Sequence, residues 1–416
     1  MSDVSLRSSS LVPLWSLLFG NFVIGTGVLL PAGLLNVLGA NLSVSPATAG
    51  LLLFAGGLVV GIGAPVLAGF TSAFDRRKLL AFSMALYAAG HGLAAIAPEF
   101  WSLLIIRTIT MVAAALFTPQ AAATVGLLVP PEKRSQAIAF IFIGWSSASV
   151  VGIPLGSILA DDIGWRATFF AMAALSAVAL IGVWVSLKPG LRVQPLQLSS
   201  WLAVFKNPLM LCILLVTLCS MSGQFTLVSY LAPTLREAFG ATPNGIATLF
   251  AIFGVAGIAG NYLATQAVGK FGLDRAVLVA LCSLIIGMGL FGLFFGNYIM
   301  ACVGGVVWGF GSFSSNSLQQ SRLVAVAPTL AAATVALNTS AVYLGQSVGA
   351  ATGGFVIKNA ISANIAWTAV GFFVLAVIFS ITAQRLAKIR LPSDSVYLPS
   401  SASSSGTAVK RSATKP

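Results

Sequence analysis

Long apolar stretches separated by short polar breaks run through the chain and predict its fold. A helix needs about 20 apolar residues to cross a bilayer, because the hydrocarbon core is about 30 Å thick and each residue rises about 1.5 Å. Barrel strands do not fit, since they are about ten residues long and alternate in polarity. The pattern predicts twelve membrane helices, near residues 12–35, 47–70, 79–97, 101–129, 137–160, 167–187, 209–232, 244–268, 276–295, 298–320, 331–356 and 365–384.

Composition supports an all-α membrane protein. Hydrophobic residues make up 58% of the chain, charged residues only 7%, and the mean hydropathy is +0.98, which is outside the range of water-soluble domains. The twelve stretches hold one formal charge, Arg107, and none of the 9 acidic residues. We interpret the first stretch as helix 1, because it is too long for a cleaved signal and similar stretches follow it.

The basic residues predict the orientation in the membrane. Of the 22 basic residues, 18 lie in the tails and alternate loops on one side, three lie in the loops on the other side, and the last is Arg107. The positive-inside rule then places both termini of a multi-pass protein in the cytoplasm. The basic side suits contact with anionic lipid headgroups, so nucleic acid is an unnecessary partner.

The sequence contains an internal repeat of six helices. Pro131, Gly152 and Gly156 match Pro328, Gly349 and Gly353 at one constant spacing of 197 residues, and residues 59–63 echo residues 255–259. An even helix number in each copy predicts parallel halves. The predicted organisation is a cytoplasmic tail (1–10), an N-terminal six-helix bundle (11–187), a cytoplasmic linker (188–208), a C-terminal six-helix bundle (209–390) and a disordered cytoplasmic tail (391–416).

Four groups of residues resemble a known family. They are the loop 69–78, Arg107, the Gly152-Ile-Pro154-Leu-Gly156 motif with Gly164-Trp165-Arg166, and the polar segments 316–322 and 336–346. With them the chain resembles the major facilitator superfamily, in its twelve-helix drug/proton antiporter branch, and looks closest to bacterial sugar- or purine-nucleoside-efflux permeases. The resemblance covers about residues 11–390. It implies the two-repeat major facilitator fold and a location in a bacterial inner (plasma) membrane.

Glycines and a proline are candidates for gating or packing. Small residues spaced four apart let helix backbones approach closely, and Pro154 removes a helical hydrogen bond and favours a kink. These residues therefore predict either a seam along which two bundles rock or ordinary tight packing. The candidates are Gly152, Pro154, Gly156, Gly349 and Gly353.

The loop between predicted helices 2 and 3 is a second gating candidate. It contains Asp75, Arg76 and Arg77. In the family that this chain resembles, such a loop makes charge contacts that hold the cytoplasmic side shut. The usual aspartate position is Ala73 here, however, and the usual internal glycine is Arg76. Basic residues that only set the topology are the alternative.

Arg107 and His91 are candidates for proton coupling or for binding solute charge. A charge in a spanning helix costs about 2.5–3.5 kcal/mol unless it faces a cavity or a partner, so Arg107 is expected to be functional. Snorkelling towards the headgroups is the alternative, since the helix end is close. His91 is either a proton carrier or a side chain that hydrogen-bonds a neighbour. The resemblance implies that a helix 4 arginine takes part in proton coupling or contacts substrate charge.

Amides and aromatic residues form the remaining candidate site. Amides within hydrocarbon need partners, so these side chains must face inwards, either towards solute or as hydrogen bonds between helices. Trp145 is a candidate cavity aromatic with core packing as its alternative. The further candidates are Gln224, Asn261, Asn316, Gln320, Asn338, Tyr343 and Gln346.

These features predict a secondary transporter that exports a small organic solute, such as a sugar, a nucleoside or purine, or a drug-like compound, by alternating access. Exchange for protons is implied by the resemblance alone. An uncoupled facilitator of the same solutes and a transport-inactive membrane sensor remain alternatives. With one histidine and no phosphate loop, we expect no enzyme activity, cofactor or bound metal. We expect a monomer.

Overall fold

The computed structural model describes residues 11–71, 73–130, 133–192, 198–359 and 362–390. The predicted tails 1–10 and 391–416 lie outside the described residues, as does the middle of the linker. The described residues contain no strand. Their long helices are α1 (Leu11–Leu42), α2 (Pro46–Phe70), α3 (Arg76–Ala95), α4 (Phe100–Leu128), α5 (Gln136–Asp162), α6 (Trp165–Ser186), α7 (Pro208–Val228), α8 (Pro243–Phe271), α9 (Leu273–Leu293), α10 (Tyr298–Val326), α11 (Ala331–Lys358) and α12 (Ile365–Arg390).

The predicted all-α fold is confirmed. Among the described residues, 10 helices are long and apolar enough to cross a membrane. The other two, α3 with 20 residues and α11 with 28 residues, are long enough but more polar. They occupy the places of predicted helices 3 and 11, so the number of twelve membrane helices stays a prediction at these two positions.

Two spans contain breaks that the apolar pattern does not predict. Within α5, a π-helical turn at Ala148–Gly152 precedes the helix Ile153–Asp162, where Pro154 lies in the first turn. Proline has no N–H to donate, so Pro154 removes one helical hydrogen bond at the point where the π-turn interrupts the regular helix. Helix α7 ends at Val228 rather than near residue 232, and a second segment, Leu231–Phe239, follows. The linker also contains a short helix, Leu198–Phe205.

Helix packing follows the predicted repeat. In the first half, α1 packs on α5 and α6, α3 on α4 and α6, and α2 on α4. In the second half the same pairs recur with six added to each number: α7 packs on α11 and α12, α9 on α10 and α12, and α8 on α10. The two halves therefore have matching internal architecture, although their exact boundaries stay predictions.

The halves contact each other through two equivalent seams, α2 with α11 and α5 with α8. A Cβ on Gly57 would come within 2.6 Å of Ser347 Oγ, and one on Gly254 within 2.6 Å of the Val150 side chain. Val150 and Ser347 are 197 residues apart, which is the spacing of the repeat. The Ser347 hydroxyl also donates to the Phe54 carbonyl at 2.9 Å. Glycine thus permits close approach at both seams.

These contacts concentrate towards one end of the bundle. We call the end that carries the α2–α3, α6–α7 and α8–α9 connections the basic end, and the other the far end. The α2 start (Pro46–Ala49) packs on α11, the segment Leu231–Phe239 packs on α1, and Ile153–Asp162 packs on α8. All three segments belong to the far end. The helices of the two halves therefore converge at the far end.

Candidate functional site

Arg107 lies in the core of the first half and is held by neutral groups. Its side chain is 1% exposed. Nη2 donates to the Gly27 carbonyl at 2.8 Å, and Nη1 lies 3.0 Å from His91 Nε2. The guanidinium carbon is 5.5 Å from the centre of the Phe169 ring. Its Nε has no hydrogen-bond partner. Snorkelling is therefore wrong for Arg107, because its guanidinium points into the bundle.

His91 is held as a neutral imidazole. Its Nδ1 lies 2.8 Å from the Tyr87 carbonyl, which can only accept, so Nδ1 carries the hydrogen. Nε2 is then the acceptor for Arg107. Tyr87 in turn donates to the Ile24 carbonyl at 3.1 Å. Gly27 allows this close arrangement, since a Cβ there would lie 2.3 Å from the Tyr87 hydroxyl. A proton on Nε2 would displace Arg107 and set two cations side by side.

Trp145 lies between the halves near mid-depth. Its ring and that of Tyr343 on α11 meet edge to face, with centroids 6.2 Å apart. The indole Nε1 donates to Thr118 Oγ1 at 3.4 Å, and the Thr118 hydroxyl donates to Asn21 Oδ1 at 3.0 Å. Asn21 Nδ2 completes the group by donating to the Ile141 carbonyl at 3.2 Å. We call Asn21, Thr118 and Ile141 the first junction, which joins α1, α4 and α5.

A second junction occupies the corresponding place in the other half. Thr217 donates to Asn338 Oδ1 at 2.7 Å, and Asn338 Nδ2 donates to Asn316 Oδ1 at 2.9 Å. Thr217, Asn316 and Asn338 join α7, α10 and α11, and we call them the second junction. Position by position they follow Asn21, Thr118 and Ile141 by 196, 198 and 197 residues. Polar contacts thus recur at equivalent helix crossings.

The other amide candidates are dispersed. Gln224 accepts a hydrogen bond from Ser312 across α7 and α10, and its Nε2 lies 3.7 Å from Met221 Sδ. Asn261 Oδ1 on α8 is buried without a hydrogen-bond partner. Gln346 is 2% exposed, whereas Gln320 is only partly buried. The structure therefore brings together Arg107 with His91, Trp145 with Tyr343, and Asn316 with Asn338, but no single cluster.

The charged loop candidates contact their own half and the start of the linker. Asp75 caps α3 by accepting from the Lys78 N–H at 3.1 Å, and it also accepts from the Gly190 N–H. Arg76 donates to Gln120, and its backbone N–H donates to the Leu191 carbonyl at 2.8 Å. The Arg77 guanidinium carbon lies 4.3 Å from the Trp184 ring centre. The gating role of this loop stays a prediction.

Partial burial acts to raise the pKa of Asp75, but the backbone N–H groups of Gly190, Lys78 and Arg77, together with the Lys78 charge, outweigh it. The net effect is a pKa below the ordinary value, because these donors stabilise the ionised carboxylate.

The candidate glycines of α5 and α11 pack inside their own halves. A Cβ on Gly152 would meet Thr26 of α1, and one on Gly156 would meet Leu30 of α1. Gly349 and Gly353 lie equally close to the α7 backbone. Tight packing is thus their observed environment, and their part in a rocking seam stays a prediction. The close glycine contacts between the halves are instead made by Gly50, where a Cβ would lie 1.9 Å from the Tyr230 hydroxyl, and by Gly57, Gly61 and Gly254.

Sequence reasoning missed Asn21, Thr118, Gly57 and Gly254. Asn21 is an amide within the first apolar stretch, and the rule that singled out the second-half amides applies to it equally. Thr118 lies 198 residues before Asn316, within one residue of the repeat spacing of 197, so the repeat also points to it. Among the described residues, no group of three His, Cys, Asp or Glu side chains could hold a metal ion.

The fold and site together define a helical membrane protein of the transporter class. Two matched helix bundles surround polar side chains, and large apolar residues face outwards, with Phe70 at 78% and Val185 at 76% exposure. The sequence matches the Major Facilitator Superfamily over residues 17–350 and 213–406. The chain belongs to this superfamily and is a membrane transporter, which confirms the resemblance predicted from the sequence.

Individual relatives agree with this assignment. The inner membrane transport protein YdhP of Escherichia coli (strain K12) is 32% identical over 349 residues, covering 83% of this chain and 89% of the relative. A probable sugar efflux transporter of Helicobacter pylori (strain G27) is 28% identical over 341 residues, covering 81% and 86%.

Two solved structures share the fold. A bacterial homologue of the human lysosomal transporter Spinster, in an inward-facing and unoccupied conformation, has a TM-score of 0.72 at 18% identity and covers 94% of this chain and 100% of its own. The nucleoside transporter NupG, as a mutant, has a TM-score of 0.71 at 14% identity, covering 91% and 100%.

Proposed function

We propose that this transporter exports a small organic solute of the sugar, nucleoside, purine or drug-like kind by alternating access, in exchange for protons. The observation that carries the proposal is the arrangement of the halves. Two matched bundles converge at the far end through the α2–α11 and α5–α8 seams, with Trp145 and Tyr343 between them. Such halves can rock about a central site, as in transporters built from repeats.

The predicted orientation in the membrane indicates the direction of solute transport. If the basic end faces the cytoplasm, as the positive-inside distribution predicts, the halves converge on the outer side and the solute site is reached from the cytoplasm. A cytoplasmic solute would then enter this state first, which suits export. The efflux name of the Helicobacter pylori relative supports the same direction.

Arg107 and His91 are our proposed coupling pair. The neutral His91 accepts from Arg107, and a proton on its Nε2 would remove that acceptor and release the guanidinium. Protonation would thereby change the packing among α1, α3 and α4. We assign the proton to this pair because α1 carries no carboxylate between Leu11 and Leu42.

Transport in proteoliposomes tests the proposal. Radiolabelled glucose, adenosine and a lipophilic drug would be measured with and without an imposed pH gradient. We expect wild-type flux of at least one probe to rise with the gradient. Arg107→Ala should lose about 10- to 100-fold of this flux, the effect of a lost charged hydrogen-bond group. Arg385→Ala, which removes an exposed cation near the end of α12, is the matched control and should keep full activity.

Three results would contradict parts of the proposal. Flux that ignores the gradient would indicate an uncoupled facilitator. Solute binding without flux would indicate a sensor. Full, gradient-dependent flux in Arg107→Ala would exclude Arg107 from the mechanism.

A further inference from the structure

Trp145 is confined on three sides by groups from three helices. Gly25 of α1 lies against its ring, since a Cβ there would come within 3.0 Å of the indole. Thr118 of α4 accepts a hydrogen bond from the indole N–H. The Tyr343 ring of α11, in the other half, contacts the indole edge to face. Trp145 itself is only partly buried. The indole is thus a held side chain with some surface left open.

The hydrogen bonds of the first junction have one consistent direction. The Thr118 hydroxyl has a single hydrogen, which it donates to Asn21 Oδ1, so its oxygen lone pair is free to accept from the indole. Asn21 is fully buried, and its Nδ2 donates to the Ile141 carbonyl, one helical turn before Trp145. Asn21 therefore fixes both the backbone of α5 and, through Thr118, the indole that this backbone carries.

The first junction both joins three helices and holds an indole, whereas the second junction only joins three helices. Both junctions tie three helices together at equivalent positions. The residue that follows Trp145 by the repeat spacing of 197 is Val342, which has no N–H to donate. Both junctions therefore join helices, whereas of the two only the first junction also holds an indole.

We infer that Asn21 and Thr118 are positioning residues that set the orientation of Trp145 for solute binding. Because the indole N–H is taken by Thr118, Trp145 offers its ring face rather than a donor to the space between the halves. A ring face suits the apolar face of a sugar or the plane of a nucleobase. This inference rests on the proposed transport function and adds the residues that shape its solute site.

A mutant cycle in the proteoliposome assay tests the inference. The proteins are wild type, Thr118→Val, Trp145→Phe and the double variant, with radiolabelled adenosine and glucose as probes. We expect Thr118→Val to raise KM by about 3- to 10-fold, the range for one hydrogen bond, with the maximal rate nearly unchanged. In the Trp145→Phe background, Thr118→Val should add little, because phenylalanine has no N–H to be held. Thr118→Ser should restore the wild-type KM.

The matched control is Thr108→Val, the same substitution on the same helix. The Thr108 hydroxyl donates to its own helix at the Leu104 carbonyl, 2.7 Å away, so no change in KM is expected. Equal effects of Thr118→Val in the wild-type and Trp145→Phe backgrounds would overturn the inference, as would a Thr118→Val protein that loses yield but keeps its KM.

A measurement without solute keeps this test separate from the proposed function. In protein labelled with 5-fluorotryptophan, the fluorine resonance of Trp145 is assigned as the one lost in Trp145→Phe. Thr118→Val and Asn21→Leu should shift or broaden it, whereas Thr118→Ser and Thr108→Val should not. An unmoved resonance in Thr118→Val and Asn21→Leu would overturn the inference. If the resonance moves but wild type transports neither probe, the positioning contact stands and sugar or nucleoside export by this chain is contradicted.

Discussion

Arg107 in the first half and Arg322 in the second half are buried within long helices and are held in different ways. Arg322 on α10 is 5% exposed and forms an ion pair with Asp274 at 3.0 Å. Its guanidinium also donates to the Ser380 hydroxyl at 3.1 Å. Arg107 on α4 is more deeply buried, at 1% exposure, yet its hydrogen-bond acceptors are a carbonyl and a neutral imidazole. Among the described residues, no carboxylate forms an ion pair with it.

The two arginines are not repeat equivalents. Helices α4 and α10 each have 29 residues and begin 198 positions apart. At that spacing Gly305 corresponds to Arg107, and Thr124 corresponds to Arg322. Each half has therefore acquired its own cation. Arg322 has a permanent counter-ion near the basic end. Among the described residues Arg107 has only neutral partners, and under the proposed coupling a proton on His91 or a solute atom would compete with them.

The first prediction compares stability when each arginine becomes methionine. Arg322→Met should lower the free energy of unfolding by about 2–3 kcal/mol, less than for a fully buried ion pair because Asp274 is 54% exposed. Arg107→Met should cost about 1 kcal/mol or less, since removing an unpaired buried cation offsets the loss of its hydrogen bonds. Thermal unfolding of the purified proteins in detergent measures both.

Transport of the same variants sharpens the contrast. Arg107→Met should be the more stable variant and yet the less active one. Equal destabilisation by the two substitutions would mean that Arg107 stabilises the fold as much as Arg322 does. It would contradict the proposal that protonation of His91 releases the Arg107 guanidinium.

The second prediction compares the two junctions. Asn338→Leu removes the amide that Thr217 and Asn316 share. Asn21→Leu removes the amide that accepts from Thr118 and donates to the Ile141 carbonyl. Unpaired polar groups inside a membrane bundle cost about 0.6–2 kcal/mol per lost bond. We expect the larger loss for Asn338→Leu, because its bonds of 2.7 and 2.9 Å are shorter than the 3.0 and 3.2 Å of Asn21.

The unfolding midpoints of the two leucine variants check this order. Ser222→Ala is a suitable control on α7, because the Ser222 hydroxyl bonds only to the Leu218 carbonyl of its own helix among the described contacts. A larger loss for Asn21→Leu would mean that the indole contact adds stability to the first junction.

The helices could be predicted from the sequence because the bilayer imposes a length and an apolar composition on each one. Arg107 and His91 could each be singled out, since charge and imidazole are rare in hydrocarbon. Their pairing could not be predicted, because it depends on how α3 and α4 are rotated against each other. That rotation is set by close approaches such as Gly90 on Thr110, where a Cβ would lie 2.1 Å from the hydroxyl.

The same limit explains the residues that were missed. A threonine such as Thr118 resembles any other small helical residue until its neighbours are known. The π-turn at Ala148–Gly152 depends on backbone bonds that composition does not encode. The repeat spacing is the exception, since it transfers positions from one half to the other. Without coordinates it relates Asn338 to Ile141, and it relates Asn316 to Thr118 within one residue.

The third prediction, with the smallest expected effect, compares the aspartates at the start of α3 and α9. Asp75 and Asp274 both precede an arginine, and they lie 199 residues apart. The pKa of Asp75 is lowered in the folded protein by the Gly190 and Lys78 N–H groups against the opposing effect of burial. Its carboxylate therefore adds stability at neutral pH, and this contribution is lost as the pH falls through the folded pKa, below about 3.8.

Asp75→Asn should consequently lower the unfolding midpoint slightly at pH 7, and the difference from wild type should shrink as the pH falls below the ordinary aspartate pKa of 3.8. The loss is small because asparagine caps a helix nearly as well as aspartate, so only the charge is removed. Asp274→Asn is the matched variant, and it should lower the midpoint more at pH 7 because Asp274 is the counter-ion of Arg322. If Asp75→Asn proved the more damaging of the two, the loop before α3 would carry the stronger charge interaction, and the contrast between the halves would be reversed at the basic end.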